Sequence, residues 1–482
     1  MKGKIFLSLM VAALLLPAPC AFSKEAPERA LVTFEETLKQ NGFAVTPGVG
    51  AVYNPLGDFC AGKLPDAVLA NSGLYLIPSV PKEAVKPGEV PVLAQKFKIR
   101  HDEAIVLIGQ TPPPAKYFAF YAHIYSRFYP DKEGGLKKTD IFGTVGDAVN
   151  NATIKTAGPT PFNTPFVLIL TPDQGTDAAI RAALRRAGYP EAIFNTLVLP
   201  ASMLNLGHGD TADDFQITLR TARFEDPVAG TRYIEGSPEN LHLFRVTPGT
   251  PAIAKPFPMP PLRVRGTGES EMHLMNKLAE LRAGVIAANP GMYATDFLTA
   301  QACYEDYDNL QRKTWADGGT RDAFVLDAGW MVPQSNLNDI ITLADDEYLV
   351  IYGVNHVATR KSTYMNVNFY ATGYIEDDGP HQKWNAFLGG FFDDDLPAGS
   401  ASGYLPAGDP DANLMYVYKT SRNCGKDEAG CVPLSAPCAR VTLDANTILG
   451  LYFRMYLEPA TKVGAATQEM LYDRIIKFSP RP

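Results

Sequence analysis

Three histidines stand where acid–base chemistry is possible. His356 follows Asn355 and the turn at Gly353, on a loop between two apolar strands. His123 lies on a strand, four residues before Arg127, and His208 sits in Leu206-Gly207-His208-Gly209-Asp210, where an imidazole and a carboxylate share a loop. An imidazole titrates near neutrality and serves as acid, base or ligand, so His356, His123 and His208 are the candidate catalytic groups. Arg263 and Arg265 alternate just before Gly266-Thr267-Gly268. With Arg127 they are candidates to grip a carboxylate or phosphate, although the blander use of such a pair is a salt bridge between lobes.

Two strands add a second kind of candidate. Side chains alternate across a strand, so Phe118, Phe120, Ala122 and Ile124 face one way, and Tyr117, Tyr121, His123 and Tyr125 the other. Further on, Met365, Val367, Phe369 and Ala371 face a core, and Tyr364, Asn366, Asn368 and Tyr370 face away from it. Aromatic rings with polar tips, interleaved with amides, stack on planar rings or sugars while supplying hydrogen bonds. Tyr117, Tyr121, Tyr364, Asn366, Asn368 and Tyr370 are therefore candidate ligand-binding residues, with Asn355 and the three arginines. The bland alternative is a second packing layer.

Stronger signatures are missing. The chain has no H-E-x-x-H, G-x-S-x-G, phosphate-binding loop or dinucleotide fingerprint. Ser79-Val80-Pro81-Lys82 matches S-x-x-K in letters, but the flanking prolines deny it a helical turn. Asp409, Asp411 and Asn413 alternate like a calcium loop, yet Leu414 replaces the glycine that loop requires. Asp393-Asp394-Asp395 reads as a solvated acidic turn. The clustered thiols Cys424, Cys431 and Cys438 could bind zinc, but their spacing is wide and no histidine lies nearby in sequence, so no metal ligands are assigned and the cofactor is left open. Asn151-Ala152-Thr153 is a glycosylation sequon by letters.

The elements that must position these residues repeat. Asp102-Glu103-Ala104-Ile105-Val106-Leu107-Ile108-Gly109 resembles 346–353 at an offset of 244, and 117–124 resembles 364–371. Leu243 to Pro248 echoes Ile475 to Pro480 at an offset of 232, which also aligns Asp226-Pro227 with Glu458-Pro459. Self-similarity of this kind marks an internal duplication. Phe166–Leu170, a helix capped by Thr176 and ended by Gly188, and Ile193–Leu199 form a β-α-β unit. Strands are expected at 104–109, 117–125, 216–224, 240–247, 348–353, 364–371, 414–420, 447–456 and 473–478. The fold class is α+β: two pseudo-repeated lobes of mixed, mostly antiparallel sheets with few helices, and a cleft between lobes. The expected division is an N-terminal segment 24–58, a first half 59–250, a Pro-rich linker and helix 251–298, and a second half 299–482. Leu274, Leu278, Leu281 and Val285 share one face of that helix, which is expected to pack across the junction.

Residues 1–23 have the basic, apolar, small-residue order of a secretory signal peptide cleaved after Ser23. Cys20 suggests a lipidated anchor instead, but the prolines around it make a poor lipidation site. Removing 1–23 takes two lysines and no acid, moving the net charge from −8 to −10. An acidic chain argues against nucleic acid, and no segment has the apolar length of a membrane helix. Five cysteines then remain: Cys60, Cys303, Cys424, Cys431 and Cys438. The last three share one loop, so a local disulfide is expected there in an oxidising compartment. The resulting expectation is a secreted or periplasmic protein that binds a polar or aromatic small molecule or glycan between its lobes. The alternative is an extracytoplasmic hydrolase or lyase with a histidine base and an arginine anchoring an anion; a structural surface component is a third reading.

Overall fold

The computed structural model describes residues 25–70, 74–83, 89–302, 310–313, 315–316, 318–329, 339–374, 383–395, 399–424 and 430–481. The signal segment 1–23 and Cys303 lie outside the described residues.

In chain order the first half runs α1 (Glu25–Gln40), β1 (Phe43–Gly48), β2 (Val52–Tyr53), α2 (Pro55–Cys60), β3 (Tyr75–Leu76), β4 (Val80–Pro81) and β5 (Leu93–Ala94). It continues with β6 (Ala104–Gln110), β7 (Ala115–Pro130), β8 (Leu136–Thr144), β9 (Val149–Asn150), β10 (Pro165–Thr171) and α3 (Gln174–Arg186). β11 (Phe194–Val198), β12 (Asp214–Phe224), α4 (Pro227–Glu235), α5 (Ser237–Asn240) and β13 (Leu241–Pro248) complete it. The rest comprises α6 (Met275–Ala287), β14 (Met292–Phe297), β15 (Ala300–Gln301), β16 (Ala323–Gly329), β17 (Tyr348–Val354) and β18 (Tyr364–Tyr374). Last come β19 (Lys383–Phe392), β20 (Met415–Ser421), β21 (Cys431–Pro433), β22 (Ile448–Tyr456) and β23 (Arg474–Pro480). The protein is mostly sheet with few helices, in several mostly antiparallel sheets.

Four sheets are stacked. The first outer sheet has the order β1-β13-β6-β10-β11, and the first inner sheet β2-β3-β12-β7-β8 with β9 on β7. The second outer sheet is β14-β23-β17-β20-β21 and the second inner sheet β15-β16-β22-β18-β19. In both outer sheets the last pair is the parallel one, β10 with β11 and β20 with β21.

Double coverage explains the continuous apolar strands. Ile105 and Leu107 of β6 face the inner sheet, packing with Phe118, Phe120, Ile217 and Leu219. Ala104, Val106 and Ile108 face Leu31, Phe34 and Leu38 of α1 and Ile180 and Leu184 of α3. The second outer sheet is covered in the same way: Leu274, Leu278, Leu281 and Val285 pack on Val350, Tyr352, Ile476 and Phe478. The helix at 275–287 thus buries the expected stripe, but on the second outer sheet and not across the junction. Within the N-terminal segment, β1 pairs with β13 and α1 covers the first outer sheet. The β-α-β unit is β10, α3 and β11; the helix is capped by Asp173, whose carboxylate accepts from the Thr176 N–H at 2.7 Å, and not by Thr176 itself.

The ion pairs anchoring the two outer sheets are wired alike. Glu103 accepts from the Arg100 N–H at 2.8 Å, the Thr247 hydroxyl at 2.8 Å and Arg245 at 2.9 Å, and Arg245 also reaches the Lys98 carbonyl at 2.7 Å. Glu347 accepts from the Ala344 N–H at 2.8 Å, the Ser479 hydroxyl and Lys477 at 2.7 Å, and Lys477 reaches the Thr342 carbonyl at 2.8 Å. Each partner lies 244 or 232 residues from its counterpart.

Two disulfides are present. Cys424–Cys431 is the expected local one, while Cys438 leaves that loop to join Cys60, 378 residues away, at a Cα–Cα distance of 5.9 Å. Loop-closure entropy assigns about 2 kcal/mol to the short crosslink and on the order of 5 kcal/mol to the long one. Cys438→Ser is therefore expected to lower the urea midpoint clearly more than Cys424→Ser. Equal losses in the two variants would show that the long link does not restrain the unfolded chain.

Candidate functional site

The three histidines are not brought together. His356 is fully buried, with Nδ1 at 2.8 Å from Glu271 Oε1 and Nε2 at 3.3 Å from Asp473 Oδ2. Tyr416 donates to Asp473 at 2.6 Å and Thr359 to Glu271 at 2.6 Å, so every polar group there is engaged. Gly353 lies within β17 and not in a turn, and a Cβ there would come within 2.2 Å of Asp473 Oδ1, which is why the strand carries glycine at this point. Burial alone would lower the His356 pKa, but the two carboxylates outweigh it and lift it to about 10. The ring is an imidazolium held between two anions, a structural pin. His208 belongs to a different network, with Nε2 at 2.9 Å from Glu103. His123 is buried on β7, stacked near Phe142 at 4.7 Å.

The tyrosine and asparagine faces do not line an open cleft. Tyr117, Tyr121, Tyr364, Asn366, Asn368 and Tyr370 are all fully buried, because the two inner sheets pack face to face. The Tyr117 and Tyr456 rings lie 4.5 Å apart. Tyr117 donates to Asp322 at 2.9 Å and contacts the Tyr121 hydroxyl at 2.5 Å, and Asn150 donates to the other Asp322 oxygen at 2.9 Å. Burial raises the pKa of Asp322 to about 6 despite these bonds, and raises both tyrosines.

Each half also sends an arm over the other's inner sheet. Ala67 pairs with β19, and the carbonyls of Leu69 and Ala70 accept from Asn368 at 3.0 and 3.1 Å, with Tyr370 also donating to Leu69. In the other direction the Ala316 N–H donates to Ile141 of β8 at 2.7 Å, Thr144 donates to the Gly319 carbonyl, and Arg220 donates to the Gly318 carbonyl at 3.2 Å. Gly318 has φ +62°, and a Cβ there would meet the Phe142 ring at 2.6 Å.

The remaining candidates serve structure. Arg127 forms a bidentate pair with Asp213. Arg263 joins the halves, taking Asp147 through its N–H at 2.6 Å, Ala148 O at 3.1 Å and Lys462 O at 3.3 Å. Arg265 donates to the Ala323 carbonyl at 3.1 Å. The Asn355 side chain accepts from the Val357 and Ala358 N–H groups, a turn device. The acidic turn is not merely solvated: Asp393 pairs with Lys116, and Asp394 and Asp395 pair with Arg223, across the two halves.

What the residue reading passed over is β12. Phe215, Ile217 and Leu219 fill the first core, so Gln216, Thr218 and Arg220 face the seam between inner sheets. Register places Gln216 beside His123 and Thr218 beside Tyr121. The Arg220 guanidinium lies over the Tyr121 ring at 5.3 Å and the Tyr75 ring at 5.6 Å, and donates weakly to the Tyr456 hydroxyl at 3.5 Å. Among the described residues five buried atoms in this row make no direct hydrogen bond, namely both nitrogens of His123, Gln216 Oε1, Thr218 Oγ1 and Arg220 Nε, with the Gly318 backbone lying near the His123 ring. Burial and then the Arg220 charge push the His123 pKa down to about 3. Applied to 215–220, the alternation that exposed the β7 face also exposes this one. Elsewhere Asp327 is buried with both oxygens unbonded, and burial lifts its pKa to about 7.

Among the described residues no group of histidine, cysteine, aspartate and glutamate could hold a metal ion, and no helix is long and apolar enough to cross a membrane. No family model matches the chain, and no curated protein matches it. Among solved structures, an uncharacterised protein from Burkholderia cenocepacia is 13% identical, covering 93% of this chain and 86% of that one, with a TM-score of 0.38. The VPA0106 protein from Vibrio parahaemolyticus is 11% identical over 94% of this chain and 96% of that one, with a TM-score of 0.37. At these scores neither similarity bears on fold or function.

The His356 pin sets a pH dependence. The folded imidazole holds its proton more tightly than an unfolded one, whose pKa is about 6.5. Its stabilisation is complete below that value and is lost as pH rises toward about 10. Urea midpoints should fall between pH 7 and 9.5 in the parent protein, and His356→Gln should start lower and fall less. Parallel profiles would remove His356 as the source.

Proposed function

We propose that this chain is an exported binding protein, built by duplication, which holds a small polar molecule inside the seam between its inner sheets. The duplication is supported by the matching strand orders of the outer sheets and by the ion pairs recurring at the offsets 244 and 232. Export is supported by the first 23 residues and by two disulfides.

One observation carries the binding reading: five buried polar atoms at neighbouring positions of β7 and β12 make no hydrogen bond among the described residues. Buried polar groups are nearly always satisfied by protein, water or ligand, and a buried guanidinium is costly without a counter-charge. Among the described residues no carboxylate contacts Arg220, whose bonds go to one carbonyl and one tyrosine hydroxyl. The hydrolase or lyase reading also finds a histidine near an arginine here. A catalytic base works best with a pKa near the operating pH, and His123, held near 3, is a poor proton acceptor. Binding is therefore favoured over turnover.

Thermal unfolding of the mature protein against sugars, carboxylates, phosphates and aromatic compounds tests this. A ligand at one hundred times its dissociation constant adds about 2.7 kcal/mol, and Arg220→Gln should abolish the shift. If no compound shifts the parent and a crystal structure shows only ordered water in the seam, the binding reading fails.

A further inference from the structure

Resting on that reading, we infer that the seam site recognises a small monoanionic hydroxycarboxylate, its carboxylate on Arg220 and Thr218 and its hydroxyl on Gln216 and His123.

The unbonded atoms define what a ligand must offer. Arg220 Nε is a donor and nothing else. Its other two edges are occupied by Gly318 O and Tyr456 OH, so the Nε edge is where an acceptor binds. Thr218 stands two residues away on the same face and offers a hydroxyl that can donate to a second acceptor atom. One guanidinium, touched by no carboxylate among the described residues, balances one negative charge; phosphate as a dianion would be left undercompensated. This end of the row therefore suits a carboxylate.

The other end asks for the opposite polarity. Gln216 Oε1 is an acceptor only, and neutral His123 presents one acceptor nitrogen and one N–H. A bare carboxylate would leave Gln216 Oε1 unsatisfied. An ammonium would satisfy it but would bring a buried positive charge beside Arg220. The nearby carboxylate, Asp322, has both oxygens committed to Tyr117 and Asn150. Asp213 and Asp214 are paired with Arg127 and with Ser126 and Lys138. A neutral hydroxyl is the donor that fits.

The second half provides an internal comparison. Arg454 pairs in register with Asn366 as Arg220 does with Ala119, so the two arginines hold matching places. There the arm carbonyls of Leu69 and Ala70 meet the amides of Asn366 and Asn368 and the hydroxyl of Tyr370. Here the arm carbonyl of Gly318 accepts from Arg220 and lies close enough to the His123 ring to favour its protonated form, and that of Gly319 goes to Thr144 at the side. The chain's own backbone takes up the amide and hydroxyl donors of the second row, leaving the acceptors Asn366 Oδ1 and Asn368 Oδ1 unbonded among the described residues, whereas the first row keeps donors as well as acceptors open.

The test is calorimetric titration of the full mature protein with glycolate, acetate, inorganic phosphate and propane-1,2-diol. Glycolate should bind roughly ten-fold or more tightly than acetate, since a site built for a hydroxyl rejects analogues lacking it. Arg220→Gln should remove binding of both acids. Gln216→Leu, which keeps the arginine, should collapse the glycolate-to-acetate ratio toward one. Equal affinity for acetate and glycolate in the parent, or a preference for phosphate, overturns the assignment. Binding of the diol but not the acids also overturns it, while leaving the seam-binding reading standing. Failure of every compound there and in the wider panel removes both.

Discussion

Along their central strands β7, β12, β18 and β22, the two inner sheets are buried on both faces. That single constraint governs most of what surrounds them. An ordinary sandwich buries one face of each sheet and lets water satisfy the other. Here the inner sheets bury the second face against one another, so every hydroxyl, amide and charge on it needs a protein partner or a bound molecule. The tyrosine chain from Tyr121 through Tyr117 to Asp322 is one answer, and the asparagines bound to Leu69 and Ala70 are another. The crossing arms follow from the same need: an irregular segment brings unpaired carbonyls that a neighbouring strand cannot spare. Ion pairs at the edge, Lys116 with Asp393 and Arg223 with Asp394 and Asp395, then close the seam where water begins.

The outer sheets meet a milder form of the problem. Their carboxylates Glu103 and Glu347 join the loop before one strand to the end of its neighbour. Glu103 and Arg245 are both fully buried, whereas Glu347 and Lys477 keep some solvent contact. A buried pair is stabilising only when its remaining hydrogen bonds are filled. Glu103 accordingly accepts from Arg100, Thr247, Arg245 and His208, and this lowers its pKa to about 2 although burial opposes ionisation. Where solvent remains, the extra histidine is absent and a lysine is enough.

Much of this architecture was legible in the residues. Strands with strict alternation, such as 117–124, were placed correctly on their core face, because period-two patterning is a direct image of burial. The wiring at Glu103 and Glu347 lies inside the two sequence echoes. Other parts were not legible. The segment 43–48 alternates weakly and contains Pro47, so its pairing with β13 is set by tertiary contact. Cys60 and Cys438 are 378 residues apart and carry no local cue to their bond. Most of all, alternation says that Tyr121 and Asn368 leave one core; it cannot say that they enter another. An open cleft and a second packing layer have the same sequence pattern, and only the facing sheet distinguishes them.

This distinction also decides what the seam can do. His123 and Arg220 share a face, but shared location is not shared chemistry. Burial, and then the guanidinium, disfavour the charged imidazole, and among the described residues no carboxylate orients it. His356 shows the opposite arrangement. Flanked by Glu271 and Asp473, it is fixed as a cation and has no pair of electrons to offer. Between these extremes the protein has no described histidine placed as an acid–base catalyst in the seam. The groups left over there are a guanidinium, a hydroxyl and an amide oxygen beside buried tyrosine rings, the set on which the proposed recognition rests.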